Sequence, residues 1–276
     1  MTIRTLLASA SQDPGRDARL NLACDIARAF DARLLGTGSV APEPLLNDAF
    51  AVGAMAGEIF TLYRDIAENE ARENRACFDK IVAARGLQAR WADETGYPTA
   101  VVNAAARAAD LVLVAALSPG APFRAPDPVE VITGAGRPVL IVPTAPVRAP
   151  VGAPVVLAWK DSRECRLAAF AALPLLKAAS RTHILTVCRD DAADIAAASL
   201  AEVEDWLSRH GVKASSEVLV RNETGTARRL LDRSTALEAG LIVSGAYGHM
   251  RLTERVLGGV TRSFLADSPV CLLMAR

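Results

Sequence analysis

Leu241-Ile242-Val243-Ser244-Gly245-Ala246-Tyr247-Gly248, then nine intervening residues, then Gly258-Gly259-Val260-Thr261: this stretch decides the fold of the 276-residue chain. It reads as an apolar strand, a glycine turn and the opening of a helix. Gly245 and Gly248 allow a sharp turn and a close approach to a ligand, because no Cβ stands in the way. Gly258 and Gly259 place amide N–H groups at a helix amino terminus, where the dipole favours an anion. Thr261 adds a hydroxyl donor. Together these parts make a phosphate cradle. The same spacing also suits a glycine-rich turn with no ligand.

The stretch has an echo about 130 residues earlier. Ala108-Ala109-Asp110-Leu111-Val112-Leu113-Val114 parallels Glu238-Ala239-Gly240-Leu241-Ile242-Val243-Ser244, and Pro138-Val139-Leu140-Ile141-Val142 parallels Pro269-Val270-Cys271-Leu272-Leu273. Leu111 precedes Pro138 by 27 positions and Leu241 precedes Pro269 by 28, so the copies stay in step. Thr95-Gly96 and Thr224-Gly225 each open the helical stretch before those strands. A period this long marks a duplicated domain rather than a solenoid unit. Between the copies, the run from Pro143 to Pro150 has the composition of a stiff, extended linker. The expected domains are therefore 1–145 and 151–276.

Each copy alternates strand and helix. In the second, strands are expected at Val155–Ala158, Ile184–Val187, Val218–Val220, Leu241–Ser244 and Val270–Leu273. Helices fall at about Arg163–Ala179, around Ile195 to Leu207 on one apolar face, and at Ala227–Glu238. The first copy begins with strands at Thr5–Ala8 and Leu34–Thr37. A long helix, about Ala54–Arg85, follows a loop containing Pro42, Pro44 and Gly53. The strands are continuous apolar runs, as expected where helices cover both sheet faces. The reading is α/β: two five-stranded, doubly wound parallel sheets in tandem.

Composition narrows the partners. Basic and acidic residues number 31 each, and division at residue 150 gives 15 against 17 and then 16 against 14. Neither half is a basic module, so nucleic acid is not an expected partner. The longest helical-looking apolar run, Leu167–Leu176 between Arg166 and Lys177, falls short of the ~18 residues of a membrane span. Thr5–Ala10 is too short for the core of a secretory signal. The five cysteines are scattered and never form C-x-x-C, which fits a reduced, cytoplasmic setting.

In an open parallel sheet, ligands bind beyond the carboxyl ends of the strands, where the strand order switches. There the spacing G-x2-G-x9-G, after Val243-Ser244 and before Pro269-Val270, resembles the tandem universal stress proteins of the UspA family. In the second half the likeness runs through Val156-Leu157-Ala158-Trp159-Lys160-Asp161-Ser162-Arg163-Glu164 and Leu241–Leu273. In the first it runs through Thr95–Val114 and Pro138–Val142. The resemblance implies two tandem Rossmann-like domains of the adenine-nucleotide-hydrolase type, with ATP or AMP as ligand and a role in stress response or signalling. It implies phosphates on the glycine loop at Gly245, Gly248, Gly258 and Thr261, and adenine near Ala158, Trp159, Lys160 and Val187, with Trp159 either stacked on the base or filling the pocket. Ser244, Tyr247, Gly259, Val260 and Asp161, which strand geometry either turns in or points elsewhere, complete the expected cofactor-binding set. It also implies that the fifth strands join the two halves as an intramolecular pseudo-dimer. A further homodimer has no motif of its own. The chain departs from the family pattern in two places. Gly259 follows the third glycine where the family has Ser or Thr, and Lys160 stands where ATP-binding members carry Asp.

In the matching loop of the first half, Ala115 to Pro128, two of the glycine slots are filled by Ala115 or Ala116 and by Ser118. Pro128 supplies no amide donor where one is needed, so nucleotide is expected in the second half alone. An enzyme reading finds little. Neither the dinucleotide fingerprint G-x-G-x-x-G nor a phosphate loop ending in Gly-Lys-Ser/Thr follows either first strand. His183, His210 and His249 are not at metal spacing. Arg251, Arg255 and Arg262 stand near the loop, either as phosphate contacts or as solvated helix residues. No catalytic base is identifiable, and slow ATP hydrolysis is the most the sequence allows. The competing reading is a nucleotide-free interaction scaffold on the same fold.

Overall fold

Apolar strands and amphipathic helices alternate throughout the computed structural model, which describes residues 2–42, 56–92, 94–116, 123–145, 147–246 and 258–276. The first half runs β1 (Thr5–Ser9), α1 (Arg16–Phe30), β2 (Arg33–Thr37), α2 (Ala56–Ala84), β3 (Ala89–Trp91), α3 (Pro98–Ala105), β4 (Leu111–Ala115), α4 (Pro128–Gly134) and β5 (Val139–Val142). The second runs β6 (Val155–Ala158), α5 (Arg163–Ala178), β7 (Thr182–Cys188), α6 (Ala193–Arg209), β8 (Ala214–Val220), α7 (Gly225–Ala236), β9 (Leu241–Gly245), α8 (Gly259–Asp267) and β10 (Cys271–Ala275).

Within each half every strand pair is parallel. The spatial orders are β3-β2-β1-β4-β5 and β8-β7-β6-β9-β10, the same doubly wound order used twice. The two sheets are not separate. β5 and β10 pair antiparallel, with Ile141 opposite Leu272, Leu140 opposite Leu273 and Val139 opposite Met274. The described strands thus form one ten-stranded sheet, with β3 and β8 at its edges.

Side chains on a strand alternate between faces, and each face has its own core. Leu6, Val155, Leu157, Leu241, Val243 and Leu273 point to the face covered by α1, α2, α5 and α6. Leu7, Val156, Ala158, Ile242 and Leu272 point to the face covered by α3, α4, α7 and α8. Burial on both faces explains why the strands read as unbroken apolar runs.

Several boundaries differ from the sequence reading, β7 among them, which begins at Thr182 rather than Ile184. β8 begins at Ala214, not Val218, because its first residues are polar and Ser215 and Ser216 are exposed at the sheet edge, where no apolar pattern marks them. β10 extends to Ala275, two residues past the expected end. α7 spans Gly225–Ala236 and begins directly after Thr224, two residues before the expected start. The loop with Pro44 and Gly53 lies outside the described residues.

Candidate functional site

Ala158 and Ser244 pair in register at the carboxyl ends of β6 and β9, the strands between which the order of the second half switches. A cavity of about 320 Å³ opens above them. Its floor is Ala158, Ser244 and Gly245, and Thr186 and Val187 at the end of β7 form one wall. The first turn of α8, Gly258 to Thr261, forms the wall opposite. Trp159 and Lys160, directly after β6, stand at the rim.

Three helix amino termini converge here, from α5 through Ser162 and Cys165, α7 through Thr226, and α8 through Gly258 and Gly259. Each brings the positive end of its dipole. The α5 terminus is capped by its own side chain, since Ser162 Oγ accepts from Cys165 N at 3.2 Å. Neither Thr224 before α7 nor Gly258 before α8 makes a side-chain cap bond. The Gly225 amide donates to Asn222 O at 3.2 Å, and the remaining first-turn amides of the two helices have no intrahelical partner and are open to water or a ligand. Thr261 is buried, and its hydroxyl bonds to no described residue. It supplies a donor at the cavity wall although it sits two positions beyond Gly259.

The glycines of the motif do different work. A Cβ on Gly245 would lie 2.5 Å from the backbone nitrogen of Cys165 and 2.7 Å from the Glu164 carbonyl carbon. Its role is to let β9 pass close under the start of α5. A Cβ on Gly258 or Gly259 would meet no described residue within 4 Å. Those two face open space, as a ligand cradle requires. Tyr247 and Gly248, together with His249, Arg251 and Arg255, lie outside the described residues.

Asp161 is a correction. It does not line the cavity; its carboxylate accepts from Arg166 Nε at 3.1 Å and from Nη2 at 2.5 Å. The N-cap geometry of Ser162 starts the helix and leaves Asp161 outside it, within reach of Arg166 on the exposed side. Sequence reasoning missed Ser162, Cys165, Thr186, Thr226 and Leu230, which also line the cavity. Thr226 had a signal, two residues after the Thr224-Gly225 helix start; Thr186 and Leu230 had none.

Trp159 carries a buried indole Nε1 with no hydrogen-bond partner among the described residues. An unsatisfied buried donor is costly, and one beside an open cavity marks a place for an acceptor on a ligand. No general base appears among the described lining residues. Burial pushes the Cys165 thiol up, keeping it neutral, and its Sγ–H donates to Ala158 O at 3.4 Å. The described residues contain no His, Cys, Asp and Glu cluster fit for a metal. His183, with Ser215 Oγ 3.1 Å from its Nδ1, lies on β7 away from the cavity.

The corresponding region of the first half is built differently. Arg19 is buried, and its guanidinium donates to Ser9 O at 2.9 Å, Ser11 O at 2.9 Å and Asp13 Oδ1 at 3.0 Å. That network ties down the turn after β1. At the start of α4 the Asp127 carboxylate accepts from Val129 N at 2.7 Å. A carboxylate at this N-cap takes the amide and opposes an incoming phosphate. The expected degenerate loop, Leu117 to Pro122, lies outside the described residues.

No family model matches the sequence, and no curated protein matches it. Solved structures do. A universal stress protein from Archaeoglobus fulgidus DSM 4304 is 17% identical, with 99% of this chain and 96% of that one covered and a TM-score of 0.75. A universal stress protein from Pseudomonas aeruginosa UCBPP-PA14 is also 17% identical, covering 99% and 93%, with a TM-score of 0.55. A universal stress protein in complex with cAMP is 20% identical over 46% of this chain and 98% of its own, with a TM-score of 0.38. The full-length likenesses show the fold: two α/β units in tandem, arranged as in the universal stress proteins. No described helix is long and apolar enough to cross a membrane.

Proposed function

We propose that the chain acts as a universal stress protein, binding an adenine nucleotide, ATP or AMP, in its second half. One observation carries this reading. The cavity at the switch between β6 and β9 is lined by Gly258, Gly259 and Thr261 and faced by two helix amino termini without side-chain caps. A phosphate there accepts from first-turn amides and the Thr261 hydroxyl in the field of converging dipoles. The base and ribose then occupy the end near Ala158, Trp159 and Val187, where Trp159 Nε1 finds its acceptor. Lys160 donates, where an Asp would accept.

Binding in the second half alone is supported by the Asp127 cap and by the Arg19 network in the first. The β5–β10 pairing supports reading the halves as an intramolecular pseudo-dimer. The role is binding in stress response or signalling rather than dedicated catalysis. The cytoplasm is the expected compartment, with neither nucleic acid nor membrane as partner.

A second reading, a nucleotide-free interaction scaffold, draws on Gly245, whose place in the motif is explained by packing against α5. The two readings separate at the purified protein. Absorbance at 260 against 280 nm, then chromatography of acid-released ligand, should reveal an adenine nucleotide. Protein free of nucleotide that also fails to bind added ATP or AMP supports the scaffold.

A further inference from the structure

A second cavity of about 410 Å³ lies between α5 and α6, outside the nucleotide pocket except for the wall of Trp159 that both share. Its sides are aromatic: Trp159, Phe170 and Trp206, with Ala169 and Val203 beneath. Phe170 is 48% exposed, unusual for a phenyl ring with a core nearby. Trp206 is held by an edge contact to His210, with ring centroids 4.8 Å apart. Around the rim, Asp161 and Arg166 neutralise one another through their ion pair. Glu202 also stands on the rim and pairs with no described residue. Three aromatic side chains and one carboxylate without an ion-pair partner among the described residues therefore border the same space.

We propose that this groove is a binding site for a small organic cation of the quaternary-ammonium class. Such an ion spreads its charge over methyl groups, has no N–H to satisfy and sheds its hydration easily. It is attracted to the negative faces of indole and phenyl rings, indole most strongly. Glu202 adds Coulomb attraction at the rim. A metal ion does not suit the groove, because the floor offers methyl groups rather than oxygens to replace lost water. A peptide strand does not suit it either, since α5 and α6 present no free backbone edge to pair with. The groove meets the first cavity only at Trp159, and its cation site does not require ATP in that cavity.

Choline and its uncharged isostere 3,3-dimethyl-1-butanol test the proposal on the full-length protein, read by NMR of the three indole N–H signals. Choline should move the Trp159 and Trp206 signals saturably and leave Trp91, packed on Phe78 in the first half, in place. The uncharged compound should bind about tenfold more weakly, the margin expected from the cation–π attraction. Glu202→Gln, a change at an exposed residue, should weaken choline by about threefold and leave the alcohol unaffected. Equal binding of the two compounds overturns the proposal and leaves a merely apolar cleft. So does uniform movement of all three indoles, absence of any shift, or undiminished choline binding by Trp206→Leu.

Discussion

Gly245 passes so close beneath Cys165 that a Cβ on the glycine would lie 2.5 Å from the Cys165 backbone nitrogen. Backbone cannot retreat as a flexible side chain can. The motif glycine directly after the strand is thus a packing residue, and the glycines that open α8 are the ones with room for a ligand.

Gly245→Ala should therefore destabilise the protein, by about 1–3 kcal/mol for an overpacked contact, read as a lower urea midpoint. If the midpoint is unchanged and nucleotide affinity alone falls, the close approach is not what Gly245 is for.

The continuous sheet makes a prediction about cooperativity. Trp91 reports on the first half, Trp159 and Trp206 on the second. In single-tryptophan variants their unfolding curves should coincide, because β5 and β10 share hydrogen bonds. Ile141→Ala, at the seam, should lower stability by about 2–5 kcal/mol and shift both reporters together. Two well-separated transitions would show that the halves fold independently.

Alkaline pH should expose the buried thiols. Burial pushes Cys271 from 9.0 up to about 12 and raises Cys165 in the same direction. Above pH 9 the unfolded thiol loses its proton while the folded one keeps it, so the unfolded state gains. The stabilising contribution of Cys271 is complete below pH 9 and is lost as pH rises toward about 12. Urea midpoints across the alkaline range should fall, and less steeply for Cys271→Ala. Identical slopes for the two proteins would contradict this.

Lys160 stands at the rim of the cavity with an ammonium that only donates. Lys160→Asp restores an acceptor beside the base and ribose. It should tighten nucleotide binding by about 1 kcal/mol, roughly fivefold. A marked loss of affinity in calorimetry would mean that the ammonium itself holds the ligand.

Much of this was legible before the structure. The duplicated period, the apolar runs and the glycine spacing depend on neighbours in sequence, and from them the tandem α/β fold and most of its strands can be read. What escaped depends on neighbours in space. Asp161 was expected in the pocket, yet Arg166, on the next turn of chain, draws it out. Thr186 and Leu230 face the cavity only because β7 and α7 pack beside β6. Ser9, Ser11 and Asp13 carry no motif, and their meaning appears only when Arg19 folds in among them. The edge strand β8 hides its first residues because an exposed edge needs no apolar pattern.

The account rests on the second-half cavity as a nucleotide site, and calorimetry with ATP on the nucleotide-stripped full-length protein and its Gly259→Val variant tests it most directly. A Cβ at Gly259 meets no described residue within 4 Å, and Gly259 lines the cavity, so the variant should fold normally while its side chain intrudes on the cradle. The account predicts one equivalent of ATP bound per chain by the parent and an affinity lower by at least about tenfold in the variant, a difference of roughly 1.4 kcal/mol. No binding of ATP or AMP by the parent, or equal binding by the two proteins, would contradict it.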